Sequence, residues 1–184
     1  ERAAHSPPKD RARRWQAAHE TAQDSLAEYS GHPRKILIQL QDALAYLAQG
    51  ELARREASVA AEPRDALMRA RETIRAAARQ LETLQERAEE RITAAEQRAD
   101  AASHLTADEL FSLQNHIRFQ LARAFRNQGL CYPDESTDRT AAISLAVEKL
   151  TETLSHLRQN NKLTRKVYLE LAACYRLQGQ LNKA

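Results

Sequence analysis

Tyr168-x-x-Leu171-Ala172-x-x-Tyr175-x-x-x-Gly179, running on to Ala184, closes the chain. This spacing of large and small apolar residues puts one coherent face on a helix, and Gly179 is placed to end it. Fifty residues earlier the same spacing occurs as Leu121-Ala122-x-x-Phe125-x-x-x-Gly129. The two turns also match, as Asn127-Gln128-Gly129 and Leu177-Gln178-Gly179. The physical logic is the same in both copies. A small residue (Ala122, Ala172) lets a paired helix approach, the aromatic (Phe125, Tyr175) fills the space between helices, and the glycine allows a tight turn.

Composition extends this local reading to the whole chain. Ala, Leu, Glu, Gln and Arg dominate the 184 residues, with four Gly, five Pro and 5% aromatics. These are helix formers. No run alternates apolar and polar residues with β-branched enrichment, so no strand is expected and the predicted class is all-α. The 28 basic and 25 acidic residues leave a net charge of +3 and are interleaved. A nucleic-acid binder would gather its positive charge on one face, so nucleic acid is not the expected partner. The one local concentration is Lys9-Asp10-Arg11-Ala12-Arg13-Arg14-Trp15, read as a solvated first turn or, alternatively, a basic arm.

Helix boundaries follow from caps and breakers. Ser6-Pro7-Pro8 opens a helix that runs to about Tyr29 with a weak stripe of Trp15, Ala18, Ala22, Leu26 and Tyr29. Ser30-Gly31-His32-Pro33 stops it. A more apolar helix over 34–49 carries Ile36, Leu37, Leu40, Ala43, Leu44 and Leu47; Gly50 is expected to end it, and a shorter helix is expected over 51–61. From Arg64 to Ser103 there is neither Gly nor Pro, and Leu67, Ile74, Leu81, Ala88, Ala95 and Ala102 recur every seven residues. One long helix is predicted there. Its apolar spacing changes after Leu84, which favours packing on an antiparallel neighbour over a strict self-associating seam. Thr106-Ala-Asp-Glu109 is a capping box and starts a helix over 107–128. A loop over 129–137 precedes helices over 138–159 and 163–178. The chain divides into helical hairpins over 1–104 and repeat-like helices over 105–184.

The doubled spacing resembles the tetratricopeptide (TPR) repeat, whose first helix reads aromatic-x-x-Leu-Gly/Ala-x-x-Tyr. The resemblance covers roughly 107–184, with a faint echo around Ala43, Tyr46 and Gly50, where Asp42 departs from the pattern. It implies antiparallel helical hairpins forming a short TPR-like α-solenoid. Repeat packing would fall to Leu121, Ala122, Phe125, Gly129, Tyr168, Leu171, Ala172, Tyr175 and Gly179. The fifty-residue period is longer than a regular TPR, so an irregular array is expected. The final helix would present Tyr168, Leu171 and Tyr175 to a helix beyond Ala184. The resemblance further implies a protein- or peptide-binding groove on the first helices. That places His116, Phe119, Arg123, Arg126 and Asn127 on one helix and Lys166, Leu169, Ala173, Arg176 and Leu177 on the next. Its basic character would suit an acidic partner.

Catalytic and metal signatures are not found. No HExxH, GxSxG, P-loop, GxGxxG or EF-hand pattern occurs, and no two histidines lie three or four residues apart. Glu82, Glu86, Glu89 and Glu90 have no nearby His and read as a solvated face. No cofactor is expected, and no run is long and apolar enough for a membrane span. Cys131 and Cys174 are read as buried thiols, with a disulfide as the alternative. The expected function is a non-catalytic interaction scaffold. The rival is a self-associating coiled coil built on 64–103.

Overall fold

A computed structural model describes residues 7–60, 62–96, 105–157 and 162–183. Among them the protein is all-helical: α1 (Pro8–Glu28), α2 (Lys35–Ala57), α3 (Pro63–Glu96), α4 (Ala107–Gly129), α5 (Thr137–His156) and α6 (Lys162–Leu177), then a short 3-10 turn, Leu181–Lys183. The expected cap at Ser6, the continuation of the long helix over 97–103 and the expected end of α5 at 158–159 lie outside the described residues. None of the described helices is long and apolar enough to cross a membrane.

Each helix packs antiparallel on the next. Residues near 50 in α2 meet Ile74 while Pro33 meets Arg91; Arg118 reaches Glu152 while Gly129 meets Ile143. Among the described residues second neighbours touch only within one layer: α2 packs on α4 and α4 on α6, whereas α1, α3 and α5 do not touch one another. The even-numbered helices therefore form an inner layer and the odd-numbered ones an outer layer. α4 lies at the centre, and Leu110, Leu113, Ile117, Phe119, Leu121, Ala122 and Ala124 are buried on several sides of it.

Two apolar clusters hold this arrangement. The first joins α2, α3 and α4 through Ile36, Leu40, Leu47, Ile74, Leu81, Ile117 and Leu121. The second joins α4, α5 and α6 through Phe119, Ala122, Ile143, Leu150, Val167 and Leu171, and Phe125 packs against both. The first cluster spans both sides of residue 104. The heptad-like stripe of α3 (Ala70, Ile74, Ala77, Leu81, Leu84, Ala88, Ile92) is buried within the chain against α2 and α4. Its small residues permit close approach, and Ile and Leu supply most of the buried area.

Glycine underlies the main departure from the expected helix boundaries. Gly50 does not end a helix; α2 runs through it to Ala57. A Cβ there would lie 2.5 Å from Ile74 Cγ1 and 3.2 Å from the Ile74 nitrogen, so Gly50 lies where α3 approaches α2 too closely for a side chain. Gly129 is likewise helical, and a Cβ would meet Ile143 Cδ1 at 2.8 Å. It admits α5 rather than making a turn. Gly179 does make the turn, with φ +71° and Schellman bonds from Gln180 N to Tyr175 O (2.9 Å) and Gly179 N to Arg176 O (3.1 Å). The two matching glycines therefore do different work.

The capping box forms as expected. Thr106 Oγ1 accepts from Glu109 N at 3.2 Å, and Thr106 N donates to Glu109 Oε2 at 2.8 Å. The backbone hydrogen bond from Thr106 holds the Glu109 carboxyl below its ordinary pKa. The expected stripe of α1 is thinner than read: Trp15 is buried, but Ala18 and Tyr29 are exposed. Asp42, the departure from the repeat spacing, is 5% exposed and anchors α1. It takes His19 Nδ1 at 2.9 Å and Gln23 Nε2 at 3.1 Å. Glu82, Glu86, Glu89 and Glu90 stand exposed as expected, and Glu89 in addition accepts from Gln114 and Arg118 of α4.

Candidate functional site

A polar stripe runs along the inner layer. His116, Gln120, Arg123 and Asn127 follow one another at steps of four, three and four, which keeps them on one face of α4. Each is tied to the next or to α2. Gln120 Nε2 lies 3.3 Å from His116 Nε2, and Arg123 Nη1 donates to Gln120 Oε1 at 2.9 Å. Arg123 Nη2 then bridges both carboxylate oxygens of Glu51, at 2.7 and 2.8 Å.

The Asn127 end of this stripe is closed. Asn127 Nδ2 donates to Glu51 Oε1 and to Arg123 O, both at 2.9 Å, and its Oδ1 accepts from Arg54 Nε at 3.0 Å. One buried carboxylate thus faces two guanidiniums and an amide. Burial lowers the Arg54 pKa, with Glu51 acting against it, and the guanidinium stays charged. Arg126 pairs with Glu170 of α6, its Nε 2.8 Å from Oε2 but off the N–H direction, so the contact is coulombic.

The His116 end is open. There, between α4 and the first turn of α6, a pocket of about 240 Å³ is lined by Ser112, Asn115, His116, Lys162 and Lys166 on its polar side. Leu157 and Leu163 form the apolar side. No acid lines it among the described residues. His116 is pushed below its ordinary pKa first by burial, then by the positive charges of Lys166 and Arg123. Asn115 is 7% exposed, and its Oδ1 is buried with no hydrogen-bond partner.

The expected groove residues separate into three groups. His116 and Lys166 come together at the pocket, and Arg123 joins them through Gln120. Phe119 and Asn127 do not line a groove: Phe119 is 5% exposed in the second apolar cluster and Asn127 is locked between Glu51 and Arg54. Leu169 and Arg176 are exposed on α6, Leu169 at 71%. The repeat-packing residues Leu121, Ala122 and Leu171 are buried, and Phe125 and Tyr175 are half-buried. Ala172 has no helix above it among the described residues and stays partly exposed, as does Tyr168 at 59%.

Ser112, Asn115, Lys162, Glu51 and Arg54 were not foreseen. Lys162 and Ser112 were within reach, since each lies four residues before a predicted groove residue on the same face. Glu51 was not, because it meets Arg123 across 72 residues of sequence. Cys131 and Cys174 are both buried and unpaired, and burial raises each thiol to about 11. Among the described residues no three His, Cys, Asp or Glu side chains gather to hold a metal ion. No family model, curated protein or solved structure matches the chain.

Proposed function

We propose that the chain is a non-catalytic scaffold of irregular TPR-like repeats, which binds an acidic segment of a partner protein across α4 and α6. One observation carries the reading. The α4 polar stripe is neutralised by Glu51 at its Asn127 end and, among the described residues, meets no acid at its His116 end. Two exposed lysines and a half-buried histidine then converge on a concavity with an apolar side. Acidic side chains would supply the missing charge, and Leu157 and Leu163 would take a neighbouring apolar group. The hairpins α2–α3 and α4–α5, with α2, α4 and α6 in one layer, support the repeat reading.

Arg123 and Arg126 are poor test positions, because each already pairs with a carboxylate of this chain. Lys162→Glu with Lys166→Glu changes only exposed side chains. Anisotropy titrations with acidic peptides are expected to show binding by the wild type, weakened by salt and lowered at least about tenfold in the double variant. Equal binding by both proteins would discard the assignment.

Self-association is a second reading, favoured by Tyr168 and Leu169 standing exposed side by side. It is not favoured at α3, whose stripe is already covered within the chain. Light scattering of Tyr168→Ser plus Leu169→Ser against wild type tests it. A wild type that stays monomeric at high concentration removes it.

A further inference from the structure

A larger cavity, of about 490 Å³, lies away from the α4–α6 face, between the start of α3 and the segment that follows α4. That volume is in the range of small-molecule sites. Leu67, Met68 and Pro133 supply aliphatic surface, Tyr132 an aromatic wall, and Cys131 a buried thiol. The wall is fixed from α3: the Arg71 guanidinium stacks 4.6 Å from the Tyr132 ring centroid, and Arg75 Nη2 donates to Tyr132 Oη at 3.3 Å.

Charge in this cavity is one-sided. Arg64 and Arg71 both line it, and among the described residues no Asp or Glu does. Among the described residues neither arginine is ion-paired to a carboxylate, and Arg71 Nε is buried with no hydrogen-bond partner. Contrast Arg118, Arg123, Arg126 and Arg139, each of which has found an acid in this chain. An arginine beside an apolar cavity with no internal counter-ion selects for an anion with an apolar body. Met68, flexible and 45% exposed, adapts to the shape of that body.

We infer that this cavity is a binding site for a small apolar monocarboxylate, its hydrocarbon against Leu67, Met68 and Tyr132 and its carboxylate on Arg64 and Arg71. The site is separate from the α4–α6 face and does not depend on the scaffold reading.

Met68 is the sole methionine of the sequence, so a methionine-methyl-labelled protein reports on this cavity through one signal. Titrating octanoate is expected to shift that signal saturably. Octanol should bind at least about tenfold more weakly, and octylammonium should not bind. Arg71→Gln is expected to remove the preference for octanoate over octanol. Arg64→Gln, at an exposed position, provides the same test without disturbing Tyr132. A Leu-terminated peptide, with a free or an amidated end, separates a protein terminus from a small molecule. An unmoved Met68 signal, equal affinity for octanoate and octanol, or binding of the peptide alone would each overturn the proposal. Lys162→Glu with Lys166→Glu should leave octanoate binding unchanged, which keeps this test apart from that of the scaffold.

Discussion

Asn127 uses every polar atom of its side chain, and Glu51 is the residue that makes this possible. Replacing Glu51 by Gln removes the carboxylate that Arg123 bridges at this junction and, among the described residues, leaves a partly buried guanidinium without its counter-ion. Breaking a buried charge pair costs about 3–5 kcal/mol. The lower end is expected here, because 30% of the Arg123 side chain stays in solvent. Urea denaturation of Glu51→Gln measures it, and a midpoint equal to wild type would mean the junction is electrostatically idle. The two thiols give a pH dependence. Each is raised from 9.0 to about 11 by burial, so the unfolded chain ionises them first. The stability they lend is complete below pH 9.0 and is lost as pH rises toward 11. Between about pH 8 and about pH 10.5 the wild type should lose more stability than a Cys131→Ala, Cys174→Ala variant, measured as the shift in urea midpoint.

At the scale of elements, the close crossing of α2 and α3 rests on Gly50. Gly50→Ala forces a methyl group into Ile74 and is expected to cost about 1–3 kcal/mol. Gly31→Ala is the matched control, since a Cβ there meets nothing within 4 Å. Thermal unfolding of the two variants should separate them clearly; equal melting points would show that α2 and α3 can part at no cost. Gly50 also shows what a sequence conceals. Local chemistry reads glycine after an apolar run as a stop, and only tertiary packing turns it into a contact. Local signals served well where the physics is local. The Thr106–Glu109 capping box, the apolar stripes of α3 and α5 and the break before α4 were all legible, because caps and periodicity act within a few turns. The candidate site was legible only in part. His116 and Lys166 lie on faces that a helical wheel predicts, whereas Phe119 occupies a similar sequence position and points into the second apolar cluster. Its orientation is decided by α5 and α6, which no pattern within α4 records.

For the whole molecule, the layering distributes stability unevenly. Among the described residues α4 packs on α2, α3, α5 and α6, whereas α1 packs on α2 alone. The hold on α1 is mainly polar: His19 and Gln23 on Asp42, Arg11 on Glu56, with Trp15 the buried apolar anchor. Amide exchange is therefore expected to be slowest in the middle of α4 and fast throughout α1. Asp42→Asn should speed exchange in α1 while leaving α4 unchanged; equal acceleration in both helices would show that the protein opens as one unit.

Exchange of that kind would make the Asp42 clasp the border between a part that opens and a part that stays shut. A protease acting on the native chain would meet α1 first and cut near Gly31, where nothing crowds the backbone glycine. What remained would still hold both apolar clusters, since Trp15 belongs to neither. On that expectation the first helix would act as a latch, and the part that stays folded would begin at α2.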